Sequence, residues 1–194
     1  MRILFSATLA AALLGSSAYA QNVSGVTRTN AMGESTTVFT IQPQGQVSAS
    51  DYVKMSADAL NYRIAASTLA LTKAERKDVK GFAKADLDAA KRDRSALMAA
   101  LTNKDRRIAR PSMTLSSERA ASIELLRKSN RGSFDNLYLT QMTDAAPTMW
   151  ALQKGYAMNG TDPALKQVAT IVAPTIETGY TVVKGLTPAA LATN

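Results

Sequence analysis

Four long stretches in which apolar residues return every third or fourth position constrain this chain more than any other feature. Such spacing puts one face of an α-helix out of water, and segments of this kind bury their stripes against one another. The first stretch opens at Ser48-x-x-Asp51, a capping box with a short acid in place of Glu, and carries Tyr52, Met55, Ala59, Tyr62, Ala66 and Leu69. Thr72-x-x-Glu75 reads as a second capping box at a tight hairpin. The second stretch holds Val79, Phe82, Ala83, Leu87, Ala90, Leu97 and Leu101 on one side, with Lys77, Lys80, Lys84, Lys91, Arg92 and Arg94 over much of the rest. Residues 102–115 break the period. They are polar, basic and contain Pro111, so they read as a long loop. Ser116 or Ser117 then caps a short helix with Ile123, Leu125 and Leu126 inward, ended by Asn130-Arg131-Gly132.

The third stretch is expected to start at Ser133 as N-cap, with Asp135 in its first turn. Its stripe is Phe134, Tyr138, Gln141, Met142, Ala145, Met149, Leu152 and Tyr156, with a kink expected at Pro147 and a stop at Asn159-Gly160. The fourth starts at Thr161-Asp162-Pro163, a cap followed by proline at the first helical position. Leu165, Val168, Ala169, Val172, Ile176, Tyr180 and Val183 face inward, Pro174 kinks it, and Gly185 and Pro188 end it. Two helical hairpins joined by a crossover of about thirty residues predict an all-α, ferritin-like four-helix bundle, with a short extra helix in the crossover. The bundle domain spans residues 49–186.

Around that domain the sequence places three other segments. Arg2, the apolar run over residues 3–14 and Ala18-Tyr19-Ala20 have the pattern of a secretory signal peptide covering residues 1–20. The expected destination is across the inner membrane, in the periplasm, with the mature chain starting near Gln21. Residues 21–48 are rich in Ser, Thr, Gly, Asn and Gln and read as a flexible polar leader. Within it, residues 36–41 have strand-like composition but no partner in view. Residues 187–194 form a C-terminal tail. No other stretch is long and apolar enough to be a transmembrane helix, so the chain is not expected to be an integral membrane protein.

The chain has no cysteine and no histidine. The first absence rules out disulfides, thiolate catalysis and zinc–sulfur sites. The second rules out a Ser-His-Asp triad and any histidine-based di-iron or zinc centre. Calcium or magnesium on oxygen ligands stays open. The formal charge is +8, or +7 without Arg2. Arg106, Arg107 and Arg110 in the crossover, with Arg127, Lys128 and Arg131, make the densest positive region. It reads as a solvated basic surface or as a contact for an anionic envelope surface. Nothing interleaves it with aromatics in the manner of a nucleic-acid site, so nucleic acid is not the expected partner.

Four stretches carry a family resemblance when taken in order. They are Leu69-Ala70 leading to Val79-Lys80-Gly81-Phe82-Ala83-Lys84, then Phe134-Asp135-x-x-Tyr138-Leu139-x-x-Met142, then Gly160-Thr161-Asp162-Pro163-Ala164-Leu165-Lys166, and finally Ala173-Pro174. Over residues 50–186 the chain resembles a bacterial exported family known as domain of unknown function 4142, which has a ferritin-like fold and no settled activity. The resemblance implies an inward-facing set of one glutamate and three histidines, the kind of set a ferritin-like metal centre uses. By the same resemblance those positions fall at Arg63, Ala90, Ala146 and Gly179. Three small residues replace imidazoles and a cation replaces an acid.

The expected function is therefore a non-catalytic structural, stress-related or interaction protein of the bacterial envelope, with no enzyme activity, no metal and no cofactor. One alternative is a carrier of a small apolar ligand in the bundle core, lined by Tyr62, Tyr138, Tyr156, Tyr180 and Trp150 with Met142 and Met149; plain core is the other reading of those residues. A further alternative is an oxygen-ligand metal or redox protein, for which Asp86, Asp144 and Glu177 are the conceivable ligands. Asp88 sits two residues from Asp86 and points elsewhere. Three solvated or capping acids are the plainer reading, because a buried unpaired acid is costly.

Overall fold

The computed structural model describes residues 23–29, 35–102 and 108–188, with side chains from residue 42 onward. The expected signal peptide, Arg106, Arg107 and residues 189–194 of the tail lie outside the described residues. Among the described residues there are five helices: α1 (Ala49–Lys73), α2 (Lys77–Ala100), the short α3 (Ser117–Lys128), α4 (Arg131–Asn159) and α5 (Pro163–Leu186). The four long helices form the expected all-α bundle. α1 pairs with α2 and α4 with α5, while α2 packs on α5 and α1 on α4 to close the ring. The hydrogen bonds fix the directions. Lys73, at the end of α1, donates through Nζ to the carbonyls of Leu126, Arg127 and Ser129 at the end of α3. Arg76, just before α2, donates to the Leu186 carbonyl at the end of α5. α3 thus runs beside the later part of α1, from Asp58 to Lys73, and returns the chain to the end where α2 began, so α2 and α4 are parallel. That return is what a long crossover accomplishes.

Two expected caps are placed differently. Thr72-x-x-Glu75 is not a capping box: the Thr72 hydroxyl donates back to the Leu69 carbonyl. The α2 N-terminus is capped instead by Asp135, whose carboxylate accepts from the backbone N–H groups of Glu75 and Arg76 at 2.9–3.3 Å. The two donors lie at and just before the N-cap Arg76, where the helix itself offers no acceptor. α4 also begins earlier than expected. Asn130, not Ser133, is its N-cap, accepting from the Ser133 N–H at 3.0 Å. Ser48 and Asp162 cap α1 and α5 as the sequence suggests, and α4 and α5 both continue through Pro147 and Pro174.

The inward stripes hold with exceptions. Met55 and Leu125, expected inside, are 37% and 59% exposed. The α1 face turns instead toward Val53, Ser56, Leu60, Arg63 and Ser67, all buried. At one end of the core the rings of Tyr52 and Tyr156 stack at 3.9 Å, with the Tyr52 hydroxyl on Gln153 and Gln153 on Ser56. At the other end Phe134, Tyr138 and Phe82 pack together.

The leader is not without partners. β1 (Val23–Thr29) pairs antiparallel with β2 (Ser35–Ile41), with Val26 opposite Phe39 and a bulge beside Val26. A strand's backbone donors need partners, and the preceding Val- and Thr-containing segment supplies them. β2 lies against α4. Just beyond it the Gln44 N–H donates to the Ala151 carbonyl of α4 at 2.8 Å. The backbone of Gln44 passes so close to Gly155 that a Cβ there would collide with its carbonyl oxygen, carbonyl carbon and nitrogen. Gly155 is therefore a docking position for the segment that leads into α1.

Candidate functional site

The inward row of α1 runs through Ser56, Leu60, Arg63, Ser67 and Ala70, at helical spacing. That of α2 runs through Val79, Phe82, Asp86, Ala90, Asp93 and Leu97. Both rows are buried, so the α1–α2 hairpin brings one guanidinium against two carboxylates in the interior. Arg63 is 4% exposed, Asp86 6% and Asp93 5%. Arg63 donates to Asp86 Oδ1 from Nε at 3.0 Å and from Nη2 at 2.6 Å, and to Asp93 Oδ2 from Nη1 at 3.2 Å. Asp86 Oδ2 accepts from the Ser67 hydroxyl at 2.8 Å. Ser67 Oγ and Tyr138 Oη lie 3.0 Å apart. A serine hydroxyl has one hydrogen, and Ser67 spends it on Asp86, so the Tyr138 hydroxyl donates to Ser67. The chain of bonds runs Tyr138 to Ser67 to Asp86 to Arg63 to Asp93, and ties α4 to α1 and α2.

The electrostatics follow from burial and pairing. Burial works against the charge on Arg63, but Asp86 and then Asp93 outweigh it and hold its pKa above the ordinary arginine value. Burial pushes Tyr138 well above the ordinary phenol range, and Asp86 adds to the shift, so it stays a neutral donor. Asp93 is raised above the usual carboxylate value, first by burial and only partly offset by Arg63. One cation shared by two acids leaves one negative charge in excess, and Asp93 carries the strain of it. A carboxyl raised on folding contributes stability below its unfolded pKa of about 3.9 and loses it as pH climbs through the folded value. Asp93→Asn should therefore flatten the fall in stability above about pH 4, measured by urea unfolding from pH 3.5 to 7. An unchanged pH profile would show that Asp93 does not titrate in this range.

Three of the four positions singled out by resemblance surround one small space. Arg63, Ala146 and Gly179, with Phe82, Asp86, Met142, Met149 and others, line a gap of about 20 Å³. That holds about one water. Ala90 does not line it and is fully buried against its neighbours. Gly179 also faces outward, onto a groove of about 480 Å³ between α2 and α5. A second cleft of about 420 Å³ lies where α3 overlies α1 and α4. In it Arg119 sits 5.0 Å over the Tyr62 ring and pairs with Asp58 at 3.0 Å.

The other expected site residues do not converge. Asp144 is exposed on the second cleft. Glu177 accepts from the Trp150 indole at 2.8 Å. Asp88 pairs with Lys84 at the surface. Among the described residues no group of three acids is placed to hold a metal ion. The interior donor set does not fit one either. Both Asp86 oxygens are engaged, and a fixed guanidinium stands 2.6 Å from one of them, where it would repel an entering cation. The aromatic set divides too. Tyr52 and Tyr156 stack, Tyr138 joins the polar chain, Tyr62 floors the second cleft, and Tyr180, Met142 and Met149 edge the small gap. The expected basic surface is split: Arg110 lies before α3, while Arg127 and Lys128 at its far end both pair with Glu124, and Arg131 opens α4.

Asp93 and Ser67 are the residues that sequence reasoning missed. Asp93 sits seven positions from Asp86 on the row that already holds Phe82, Ala90 and Leu97, and that spacing was the available signal. A family model described as Domain of unknown function (DUF4142) covers residues 34–186, which takes in β2 and the whole bundle. No curated protein and no solved structure matches the chain.

Proposed function

The chain belongs to the DUF4142 family, and from that premise we propose that it is a non-catalytic, exported, ferritin-like bundle of the bacterial envelope, held closed by an internal ion pair in place of a metal. The observation that carries this reading is the Arg63 guanidinium, seated between Asp86 and Asp93 where a metal would need open carboxylates. The absence of histidine and cysteine from the sequence supports it, since oxygen donors alone are a poor set for iron, copper or zinc. The signal-like residues 1–20 and the basic composition support export and an envelope location. No helix among the described residues is long and apolar enough to cross a membrane. A ligand carried inside the core is the weaker reading, because the interior gap of about 20 Å³ is far below the few hundred Å³ an organic ligand occupies.

Metal analysis of the protein, purified without chelator from metal-supplemented growth, tests the proposal. Less than about one metal per ten chains, with a melting temperature unmoved by a chelator, is the result expected of an interior whose two carboxylates are already engaged by its own guanidinium. Stoichiometric iron, manganese or zinc whose removal lowers the melting temperature would overturn it.

A further inference from the structure

From Gln167 to Val183, α5 has one charged residue, Glu177, and its carboxylate accepts from the Trp150 indole at 2.8 Å. Soluble surfaces ordinarily carry charge at about one position in three or four. The exposed residues between Thr170 and Val182 carry none, in a chain whose formal charge is +8. Ile171 and Val182 stand on this face, 55% and 46% exposed.

The threonines of the face are less polar than their composition suggests. Thr170, Thr175, Thr178 and Thr181 each donate the hydroxyl hydrogen to the carbonyl four residues back in the same helix, at 2.8–3.3 Å. A hydroxyl has one hydrogen, so none of the four has one left to donate outward. Nor do these residues serve helix formation, since β-branched side chains are among the poorer helix formers. A helix that met only water would be better built from Lys, Glu or Ala at these positions.

The order of the side chains indicates what covers them. Ile171, Thr175, Thr178 and Val182 follow one another at spacings of four, three and four, which keeps them in one row along the helix. The row runs large, small, small, large, and it reads the same from either end. A contact between identical chains across a two-fold axis needs this property, because the surface must be its own complement. Charge points the same way. Two copies of a basic chain repel one another, and they meet at least cost on a face without charge. An acidic partner would find no cation on the row. A helix that lies on a lipid surface carries Trp, Phe or Leu on its apolar face, and this row has none.

We propose that α5 is a dimer face, on which two copies of this chain pair through antiparallel α5 helices about a two-fold axis between Thr175 and Thr178. Ile171 then packs on Val182 of the second copy, and Thr175 on its Thr178. The 24 residues of α5 make a rod about 36 Å long and about 10 Å wide, or about 360 Å² per copy. The total of about 700 Å² is below the roughly 1,200 Å² of stable complexes, so the dimer is a reversible one that forms at high protein concentration. The face lies outside the core, and the pairing does not depend on how the interior ion pair is read.

Sedimentation equilibrium of the full mature chain, from about 10 µM to about 1 mM, tests this. A monomer–dimer equilibrium is expected. It should tighten about threefold as salt rises from about 0.05 to about 0.5 M, because screening removes the repulsion between basic copies and spares an uncharged contact. Ile171→Lys and Val182→Glu should each weaken self-association about tenfold and leave the melting temperature within about 2 °C, since both side chains are at the surface. An equimolar mixture of the two variants should recover the dimer, because the two introduced charges then face each other across the axis. Should either variant fail to fold, Thr178→Arg sets a like-charged pair beside the axis and carries the same expectation of a lost dimer. A monomer at every concentration and salt, a dimer unchanged in both single variants, or no recovery in the mixture would each overturn the proposal. Monomers that bind anionic vesicles, and lose that binding in Ile171→Lys and Val182→Glu, would overturn it in favour of a lipid surface.

Discussion

Arg63→Met lowers the free energy of unfolding by about 3–5 kcal/mol, because it strands Asp86 and Asp93 in the interior without their cation. For a domain of this size that corresponds to a fall in melting temperature of about 6–20 °C. The deficit comes from what is left behind more than from what is lost. Intact, a buried ion pair contributes little net stability, since the desolvation of its members offsets their attraction. The variant therefore carries a distinctive pH dependence. With Arg63 gone, Asp93 loses the partner that offsets its burial, so stability is retained at low pH, where this carboxyl is protonated, and is lost as pH rises through its raised value. The gap between parent and variant should shrink on acidification. Adding Asp86→Asn and Asp93→Asn to Arg63→Met should restore much of the loss at neutral pH. A loss under about 1 kcal/mol, or one independent of pH, would mean that the carboxylates reach solvent.

Gly155→Val costs about 1–3 kcal/mol and releases the segment before α1 from α4. The new side chain collides with the Gln44 backbone, and backbone does not give way as a flexible side-chain tip would. A valine in place of glycine would otherwise favour the helix slightly, so net destabilisation isolates the clash. Hydrogen exchange reads the mechanism directly. The Gln44 amide, which donates to Ala151 at 2.8 Å, should lose its protection, and proteolysis should cut ahead of Ser48, while amides at the centre of α2 keep their relative order. If Gln44 stays protected in the variant, the segment docks by some other contact.

The bundle was legible in the sequence because its information is local and periodic. Ser48 and Asp162 announce α1 and α5 by capping chemistry, and the α2 row from Val79 to Leu97 is buried throughout. Where the reading failed, the deciding partner was remote. Asp135 caps a helix sixty residues earlier in the chain, and nothing near Thr72 or Glu75 reveals that. Lys73 caps α3 from the far side of the crossover. The β1 strand went unseen because polar, Gly-containing residues interrupt its apolar positions, and only its pairing with β2 makes it a strand.

The candidate site divides along the same line. Arg63 stood out only through the family resemblance, at the place of an inward-facing glutamate, and Asp86 only as a conceivable ligand. Their pairing was not drawn, because rows on two helices do not give the register between them. Once α1 and α2 are packed, the acid at Asp86 and the one seven residues on at Asp93 flank a single guanidinium. Ala146 and Gly179 leave room for about one water rather than for a ligand, because Met142, Met149 and Ile176 close over the space. The groove over Gly179 could not be foreseen from stripes at all. It arises on the outer side of two helices, from residues whose small size is visible in sequence but whose neighbours are not.

The central claim is that Arg63 holds the place of a cation inside the bundle. Nitrogen-detected magnetic resonance of the arginine side chains measures this most directly, followed through a titration with Mn²⁺. The account predicts one guanidinium, assigned by its loss in Arg63→Met, with slow hydrogen exchange and hindered rotation, because three of its donors are held by buried carboxylates. It also predicts no selective broadening of that signal or of Tyr138 as Mn²⁺ is added. A rapidly exchanging Arg63, or selective broadening of Arg63 and Tyr138 at one equivalent of Mn²⁺, would contradict it.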